Sequence, residues 1–254
     1  MADKKRPPRF DLKSTTGRSG RLVQIGGTAF VVIFAVALVA YIVTSHHHKK
    51  GGTTGQGDTV RVTSSNVVNA PGTSNPKAVV SFYEDFLCPA CGNFERTFGP
   101  TVNKLIDMGA IAADYSMVSI LDSQRTQNYS SRAGAAALCV ADGSVDAFRR
   151  FHNHLFSSEF QPSERATSYP DNAKLIEIAR EAGVVGNVPD CVNSGRYIDK
   201  VTGEAAAANI TATPTIQING ENYDPSTPDA LVAKIKSIVG DVPGIDTAVS
   251  PGTP

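Results

Sequence analysis

The longest apolar run along the chain covers residues 25–43 and contains 19 residues without a charged side chain. As a helix it would approach the thickness of the membrane hydrocarbon layer, roughly 30 Å, and it lacks the polar stripe of a soluble helix. Seven basic residues precede the run, whereas only Lys49 and Lys50 follow it closely. The positive-inside bias therefore predicts a cytoplasmic N-terminus and a single-pass anchor, with residues 46–254 outside the cytoplasm.

A cleaved secretory signal is the alternative interpretation of this run. The apolar core of such a signal is shorter, about 7–15 residues, and ends near an Ala-x-Ala-like site. The nearest such site, Ala35-Val36-Ala37, lies inside the run. Both interpretations place the rest of the chain outside the cytoplasm.

Short apolar runs and stretches of helical periodicity alternate through the rest of the chain. Strands are predicted at 78–83, 113–120 and 215–218, and Asn219-Gly220 predicts a hairpin turn into 221–223. Helices are predicted at 88–108, with a kink or break at Pro100, and at 130–141, 144–157, 171–183, part of 190–208 and 228–239. This order predicts an α/β fold with an insertion of helices.

Composition adds a charge asymmetry that the average hides. The 254 residues are 41% hydrophobic and carry no net charge, but residues 1–24 hold seven basic and two acidic residues. Residues 51–254 hold 15 basic and 22 acidic residues, and this mildly acidic body disfavours the phosphate backbone of nucleic acid. The sequence contains no P-loop, GxGxxG or HExxH pattern. We therefore expect no nucleic-acid partner, no cofactor and no metal.

The most informative motif is Cys88-Pro89-Ala90-Cys91, at the predicted start of a helix. Proline suits the first helical position, where its missing N–H would have had no partner. Free backbone N–H groups and the positive end of the helix dipole stabilise a thiolate at Cys88. Cys91, one turn further along, would act as the resolving thiol. A low thiolate pKa also makes Cys88 a good leaving group, which favours transfer of the disulfide to a substrate.

Two other interpretations of this pair remain open from the residues alone. One is an inert structural disulfide. The other is half of a zinc site, although the remaining cysteines, Cys139 and Cys191, do not form a second closely spaced pair. Outside the cytoplasm we expect Cys139 and Cys191 to form a mutual disulfide. A second redox pair or two free buried thiols are the alternatives.

Several polar residues are further candidates. Thr213-Pro214 precedes a predicted strand, where a cis peptide bond would turn backbone groups toward the cysteine pair, but the sequence alone does not decide the isomer. Glu84 or Asp85 could take the proton from Cys91, although solvated loop acids are the favoured interpretation. His152 and His154 are interpreted as surface or core-edge residues of an amphipathic helix.

These features together resemble the DsbA family of thioredoxin-like oxidoreductases. The resemblance rests on FYEDFLCPAC, the helical insertion, ATPT before a strand, and the Asn-Gly hairpin with the last helix, and it covers about residues 60–240. With the anchor and the second cysteine pair, the chain looks closest to membrane-anchored DsbA-like proteins of actinobacteria. The resemblance implies a thioredoxin-like fold with an inserted helical domain.

The resemblance also implies roles for individual residues. Cys88 would be the nucleophilic cysteine and Cys91 its partner, Pro214 a cis proline, and Thr213 the residue that contacts the substrate backbone. Many relatives carry a buried acid six residues before the first cysteine, but Phe82 occupies that position here. Asp85 therefore becomes the preferred proton acceptor.

The implied function is formation of disulfides in exported proteins, with reoxidation by a quinone-linked membrane partner of the DsbB or VKOR type. A disulfide isomerase, a reductase and a non-catalytic binding or chaperone module are the alternatives. The predicted segments are a cytoplasmic basic tail (1–24), the anchor (25–43), a linker (44–58), the thioredoxin-like domain (59–121 and 209–240), its helical insertion (122–208) and a C-terminal tail (241–254).

Overall fold

The computed structural model describes residues 59–249, which contain a five-stranded sheet and seven α-helices. The predicted basic tail, the anchor at 25–43, the linker at 44–58 and the end of the C-terminal tail lie outside these residues, so they stay predictions. Within 59–249, no helix is both long enough and apolar enough to cross a membrane.

The sheet has the strand order β1-β3-β2-β4-β5. Its strands are β1 (Val60–Val62), β2 (Val79–Glu84), β3 (Ala112–Met117), β4 (Thr215–Ile218) and β5 (Glu221–Asn222). The central strand β2 pairs in parallel with β3 and antiparallel with β4, whereas β1 closes one edge antiparallel to β3. β1 was not predicted, because three residues are too few for an alternating pattern to be recognised.

The predicted hairpin between β4 and β5 is confirmed. Asn219 and Gly220 both have positive φ, 53° and 86°, as a two-residue turn of this type requires. The Asn219 side chain also accepts a hydrogen bond from Val79 N at 2.8 Å and donates one to Lys77 O at 3.2 Å. The turn residue therefore ties β4 to the start of the central strand.

The helices lie in chain order between and after these strands. They are α1 (Pro89–Asp107), α2 (Tyr129–Gly143), α3 (Val145–Leu155), α4 (Asn172–Glu181), α5 (Val188–Asn193), α6 (Ile198–Ala207) and α7 (Pro228–Val239). Helices α2 to α6 form the predicted insertion between β3 and β4. The stretch 190–208, predicted to be partly helical, contains the end of α5, a turn at Gly195 with φ of 65°, and α6.

Helix α1 runs without interruption through Pro100, so of the predicted kink or break the break was wrong and the kink stays a prediction. A proline inside a helix costs about 3 kcal/mol, because it removes one hydrogen bond and crowds the preceding turn. Phe98, Val102 and Leu105 on either side of Pro100 are buried against the core, and burial of three such side chains offsets that cost.

A disulfide between Cys139 of α2 and Cys191 of α5 crosses the insertion, with Cα atoms 5.9 Å apart and the two residues 52 positions apart in sequence. Both side chains are buried in the helical cluster. The bond therefore closes a long loop that contains α3 and α4 and restricts the unfolded chain rather than the folded one.

We predict that replacing both cysteines, Cys139→Ala with Cys191→Ala, lowers the free energy of unfolding by about 4 kcal/mol under oxidising conditions, the loss of loop-closure entropy for a loop of this size. Urea unfolding of residues 59–249 measures this change. A reducing agent should then destabilise the parent protein strongly and the double variant little. Equal stability of the two proteins before reduction would contradict the entropic role of the bond.

Candidate active site

The Cys88-x-x-Cys91 pair lies where β2 leads into α1. Cys88 is the N-cap residue of α1, with extended backbone (φ −70°, ψ 118°), and Pro89 follows as the first helical residue. The backbone N–H of Cys88 donates to Asp85 O at 2.9 Å, and Cys88 O accepts a hydrogen bond from Gly92 N at 3.1 Å. Both cysteines are free thiols, so the structure is of the dithiol form.

The surroundings of Cys88 favour its ionised form and lower its pKa to about 5. The largest cause is a hydrogen bond from the Cys91 thiol, which outweighs the opposing effect of burial. The Thr213 side chain and the backbone N–H groups of Cys91 and Ala90 add further hydrogen bonds. These backbone donors are the unpaired N–H groups that any helix start exposes.

Cys91 lies one turn inside α1, is fully buried and stays a thiol. Burial is the first cause of its raised pKa, followed by its hydrogen bond to Cys88 and by the charge of Glu84. The two sulfurs therefore differ as the sequence predicts for an attacking or leaving thiolate and a resolving thiol.

The segment before β4 meets the cysteine pair. Thr213 O lies 3.4 Å from Cys88 Sγ, and the Thr213–Pro214 peptide bond is cis. β4 begins immediately afterwards with Thr215, which is paired with Tyr83 of the central strand. This pairing places the segment beside Cys88, although 125 positions separate Cys88 and Thr213.

Glu84 and Asp85 are completely buried, so their interpretation as solvated loop acids was wrong. Asp85 Oδ1 accepts from Leu87 N and Oδ2 from Leu121 N, both at 2.9 Å. Burial raises the pKa of Asp85 to about 6 against these hydrogen bonds. The Asp85 carboxyl group therefore holds the loops on both sides of the site, and its role as proton acceptor stays a prediction.

His152 is also buried, which corrects its interpretation as a surface or core-edge residue. Its Nε2 lies 2.9 Å from Glu84 Oε2, and its Nδ1 lies 4.0 Å from Oε2 of Glu95, a residue that the sequence analysis missed. The available signal was helical spacing, because Glu95 lies four residues after Cys91 and so falls on the same buried face of α1.

Gln161, in the loop after α3, is the other residue that the sequence analysis missed. Its Nε2 donates to Cys88 O at 2.9 Å and to Phe86 O at 3.3 Å, while its Oε1 accepts from Arg96 at 3.1 Å. A Cβ atom on Gly92 would overlap the Gln161 amide, so the approach requires a glycine there. No sequence pattern marks this contact, because it depends on how the insertion packs on α1.

Residues 67–237 match the family model described as thioredoxin. The chain belongs to the thioredoxin family. It is 70% identical to a reduced DsbA crystal structure from Mycobacterium tuberculosis, with a TM-score of 0.75 over 76% of this chain and 98% of that one. The reduced disulfide oxidoreductase DsbG from M. tuberculosis gives 69% identity and a TM-score of 0.76, over 80% and 98% of the two chains.

These matches confirm the resemblance seen in the sequence: the chain is a DsbA-like protein thiol–disulfide oxidoreductase with an α/β thioredoxin-like fold and helical insertions. BdbD from Bacillus subtilis, at 19% identity and a TM-score of 0.56, shares the fold. A curated relative, the serine/threonine-protein kinase PknE of M. tuberculosis, is 31% identical over 144 residues. The chain aligns with only 25% of that kinase.

We predict that the Cys88 thiol of the reduced protein ionises with a midpoint near pH 5. The ultraviolet absorbance of the thiolate measures this titration. Cys91→Ala should raise this midpoint, because it removes the first donor to the sulfur. Cys88→Ala should show no transition in this range. A midpoint near the free-cysteine value of about 8.5 would contradict the assigned hydrogen bonds.

Proposed function

We propose that this oxidoreductase forms disulfides in exported proteins through Cys88 and Cys91, outside the cytoplasm. The supporting observation is the stabilised thiolate at Cys88 beside a buried Cys91 thiol. A thiolate of low pKa is a good leaving group, and this favours release of the enzyme from a mixed disulfide once the substrate disulfide has formed.

In the proposed reaction, a substrate thiolate attacks Sγ of Cys88 in the Cys88–Cys91 disulfide. Cys91 leaves and takes up a proton, and Cys88 is then joined to the substrate. A second substrate thiolate attacks the substrate sulfur of this bond, which releases Cys88 as a thiolate and the substrate as a disulfide. Two electrons pass from the substrate to the enzyme, whose sulfurs end as one thiolate and one thiol.

Thr213 and Pro214 form the proposed substrate-binding segment. Thr213 O lies 3.4 Å from Cys88 Sγ, and the side chains of both residues are partly exposed beside the sulfur. An extended peptide whose sulfur is bonded to Cys88 therefore passes close to the Thr213 backbone and can hydrogen bond with it, as an added strand would.

The proposed location and partners rest on the sequence. The apolar run at 25–43 would anchor the enzyme in the membrane, with the described part of the chain outside the cytoplasm. A membrane partner of the DsbB or VKOR type, linked to quinone, would return Cys88 and Cys91 to the disulfide. Reduced or unfolded exported proteins would be the substrates.

We predict that Cys88→Ser abolishes the oxidation of a reduced, unfolded test protein, because no other free thiol in residues 59–249 could replace Cys88 at the helix start. Recovery of the oxidised test protein's activity measures the rate. With oxidised glutathione supplied as the oxidant, Cys91→Ser should instead accumulate a mixed disulfide of Cys88 with the test protein, visible as a larger species that a reducing agent removes. Full activity of Cys88→Ser would favour a binding or chaperone module.

The pKa of Cys88 also predicts the direction of electron transfer. The Cys88 pKa of about 5 lies between the thiolate pKa values of thioredoxin (about 7) and DsbA (about 3.5). The reduction potential of the protein should therefore fall between the potentials of these two proteins, about −270 and −120 mV. Equilibration of residues 59–249 with glutathione measures it. A potential at or below that of thioredoxin would assign the protein as a reductase.

A further inference from the structure

The loop between α3 and α4, residues 156–171, reaches the start of α1 through the side chain of Gln161. Gln161 Nε2 donates to Cys88 O at 2.9 Å and to Phe86 O at 3.3 Å. On the other side of the amide, Arg96 Nη1 donates to Gln161 Oε1 at 3.1 Å. We call Gln161 and Arg96 the amide clamp, because together they hold two carbonyl groups next to the reactive sulfur.

The direction of the Gln161 amide is fixed by its partners. A guanidinium group only donates hydrogen bonds, and a backbone carbonyl group only accepts them. Oε1 must therefore face Arg96 and Nε2 must face the carbonyl groups, since the flipped amide would lose all of these contacts. Arg96 is itself held by Phe156 O, 2.8 Å from Nη1, and by Asn93 Oδ1, 2.6 Å from Nη2. Arg96 therefore orients the amide that binds Cys88.

The backbone oxygen of Cys88 accepts hydrogen bonds from two separate elements. One donor is Gly92 N, at 3.1 Å, which forms the first hydrogen bond of α1, and the other is Gln161 Nε2. A carbonyl oxygen has two lone pairs, so both are occupied. Gly92 permits this approach, because a Cβ atom there would overlap Gln161 Oε1. The amide clamp therefore lies across the first turn of the cysteine-bearing helix.

The loop before α1 is held from two directions. Asp85 Oδ1 accepts from Leu87 N at 2.9 Å, and Asp85 O accepts from Cys88 N at 2.9 Å. Gln161 binds the carbonyl groups of this loop, those of Phe86 and Cys88. Asp85 continues to support the loop when the clamp is removed. We therefore expect loss of the clamp to change the geometry at Cys88 without unfolding the loop.

The position of the Cys88 carbonyl group determines how the sulfur faces the helix. The ψ angle of Cys88, 118°, sets the direction of the following peptide, and hence of the helix N–H groups, relative to Sγ. These groups, from Ala90 and Cys91, donate hydrogen bonds to the sulfur. Such bonds weaken steeply when their angle departs from linear. A carbonyl group released by Gln161 would therefore weaken the donors that stabilise the thiolate.

We propose that Gln161, oriented by Arg96, is a positioning residue for disulfide exchange at Cys88. It holds the Cys88 carbonyl group so that the sulfur stays against the N–H groups at the start of α1. It thereby stabilises the thiolate that leaves when the disulfide is transferred. This inference rests on the proposed function, because it requires that Cys88 and Cys91 exchange between dithiol and disulfide.

The experiment measures the equilibrium constant for reduction of the protein by glutathione at pH 7. The Cys88–Cys91 disulfide takes two electrons from two glutathione thiols, which become oxidised glutathione. One thiol proton passes to Cys91 and the other to solvent, so that Cys88 ends as a thiolate. The constant falls about tenfold for each unit by which the pKa of Cys88 rises, because this charge exists only in the reduced protein and pH 7 lies above the pKa.

Gln161→Met keeps the length of the side chain and removes its hydrogen bonds. The equilibrium constant should therefore fall about three- to tenfold. The midpoint of the Cys88 thiolate titration should rise by the corresponding amount, about 0.5 to 1 pH unit. A merely structural role would lower the stability of the reduced and oxidised protein equally and leave both measurements unchanged, and that result would overturn the proposal.

Gln217→Met is the matched control, because the Gln217 amide of β4 also donates a hydrogen bond, but to Asn222 Oδ1 of β5 at 3.0 Å. Its constant should stay within about twofold of the wild type. Gln161→Glu separates the two sides of the clamp, since a carboxylate accepts from Arg96 but cannot donate to Cys88 O. Its constant should fall at least as far as that of Gln161→Met, and a wild-type value would overturn the proposal.

The role of Arg96 is tested by combined substitutions. Arg96→Met should lower the constant, whereas Arg96→Lys retains a donor for Gln161 Oε1 and should stay closer to the wild type. In the Gln161→Met protein, Arg96→Met should cause no further fall, because its effect passes through Gln161. Additive effects of the two substitutions would contradict the orienting role of Arg96.

The wild-type protein allows a test that does not depend on whether the variants fold. The side-chain amide protons of Gln161 should exchange with water at least about tenfold more slowly than those of the exposed Gln124. Equal exchange rates would overturn the proposal. If the wild type forms no Cys88–Cys91 disulfide with oxidised glutathione, the proposed function fails. If the disulfide forms but Gln161→Met matches the wild type, only the positioning role fails.

Discussion

The structure around the cysteine pair depends on one negative charge, held on the Cys88 sulfur in a largely buried position. The charge is tolerated because donors converge on it: the Cys91 thiol, the Thr213 side chain and the N–H groups at the start of α1. The strand–helix junction supplies the backbone donors, Pro89 starts the helix without leaving an N–H unpaired, and the pairing of β4 with β2 brings in Thr213. The sheet topology therefore contributes to the stabilisation of the negative charge on the Cys88 sulfur.

The helical insertion contributes directly to this region. It supplies His152, which hydrogen bonds to Glu84 at the end of the central strand, and Gln161, which binds the carbonyl groups of Phe86 and Cys88. In the opposite direction, Arg96 of α1 donates a hydrogen bond to the backbone oxygen of Phe156, the residue after α3, at 2.8 Å. The insertion and the thioredoxin-like part therefore share hydrogen bonds and buried charges next to the reactive sulfurs.

Sequence reasoning predicted the elements whose signals are local. The start of α7 follows from its cap, because Thr227 accepts from Ala230 N and Pro228 takes the first helical position, and the motif at α1 follows from the same rules. The buried polar residues were missed for a physical reason. Hydropathy treats Glu84 and His152 as exposed, and only the packing of three separate elements provides the partners that make their burial tolerable.

The lack of a side chain at Gly92 has a consequence for how this protein can vary. Any larger residue there would push Gln161 away from the carbonyl groups of Phe86 and Cys88. The loop that carries the reactive sulfur would then lose these two hydrogen bonds. The identity of a residue within the first turns of α1 is thus constrained by a loop that follows it by almost seventy positions. A chain with shortened or exchanged inserted helices would therefore have to supply another donor for the carbonyl groups of Phe86 and Cys88.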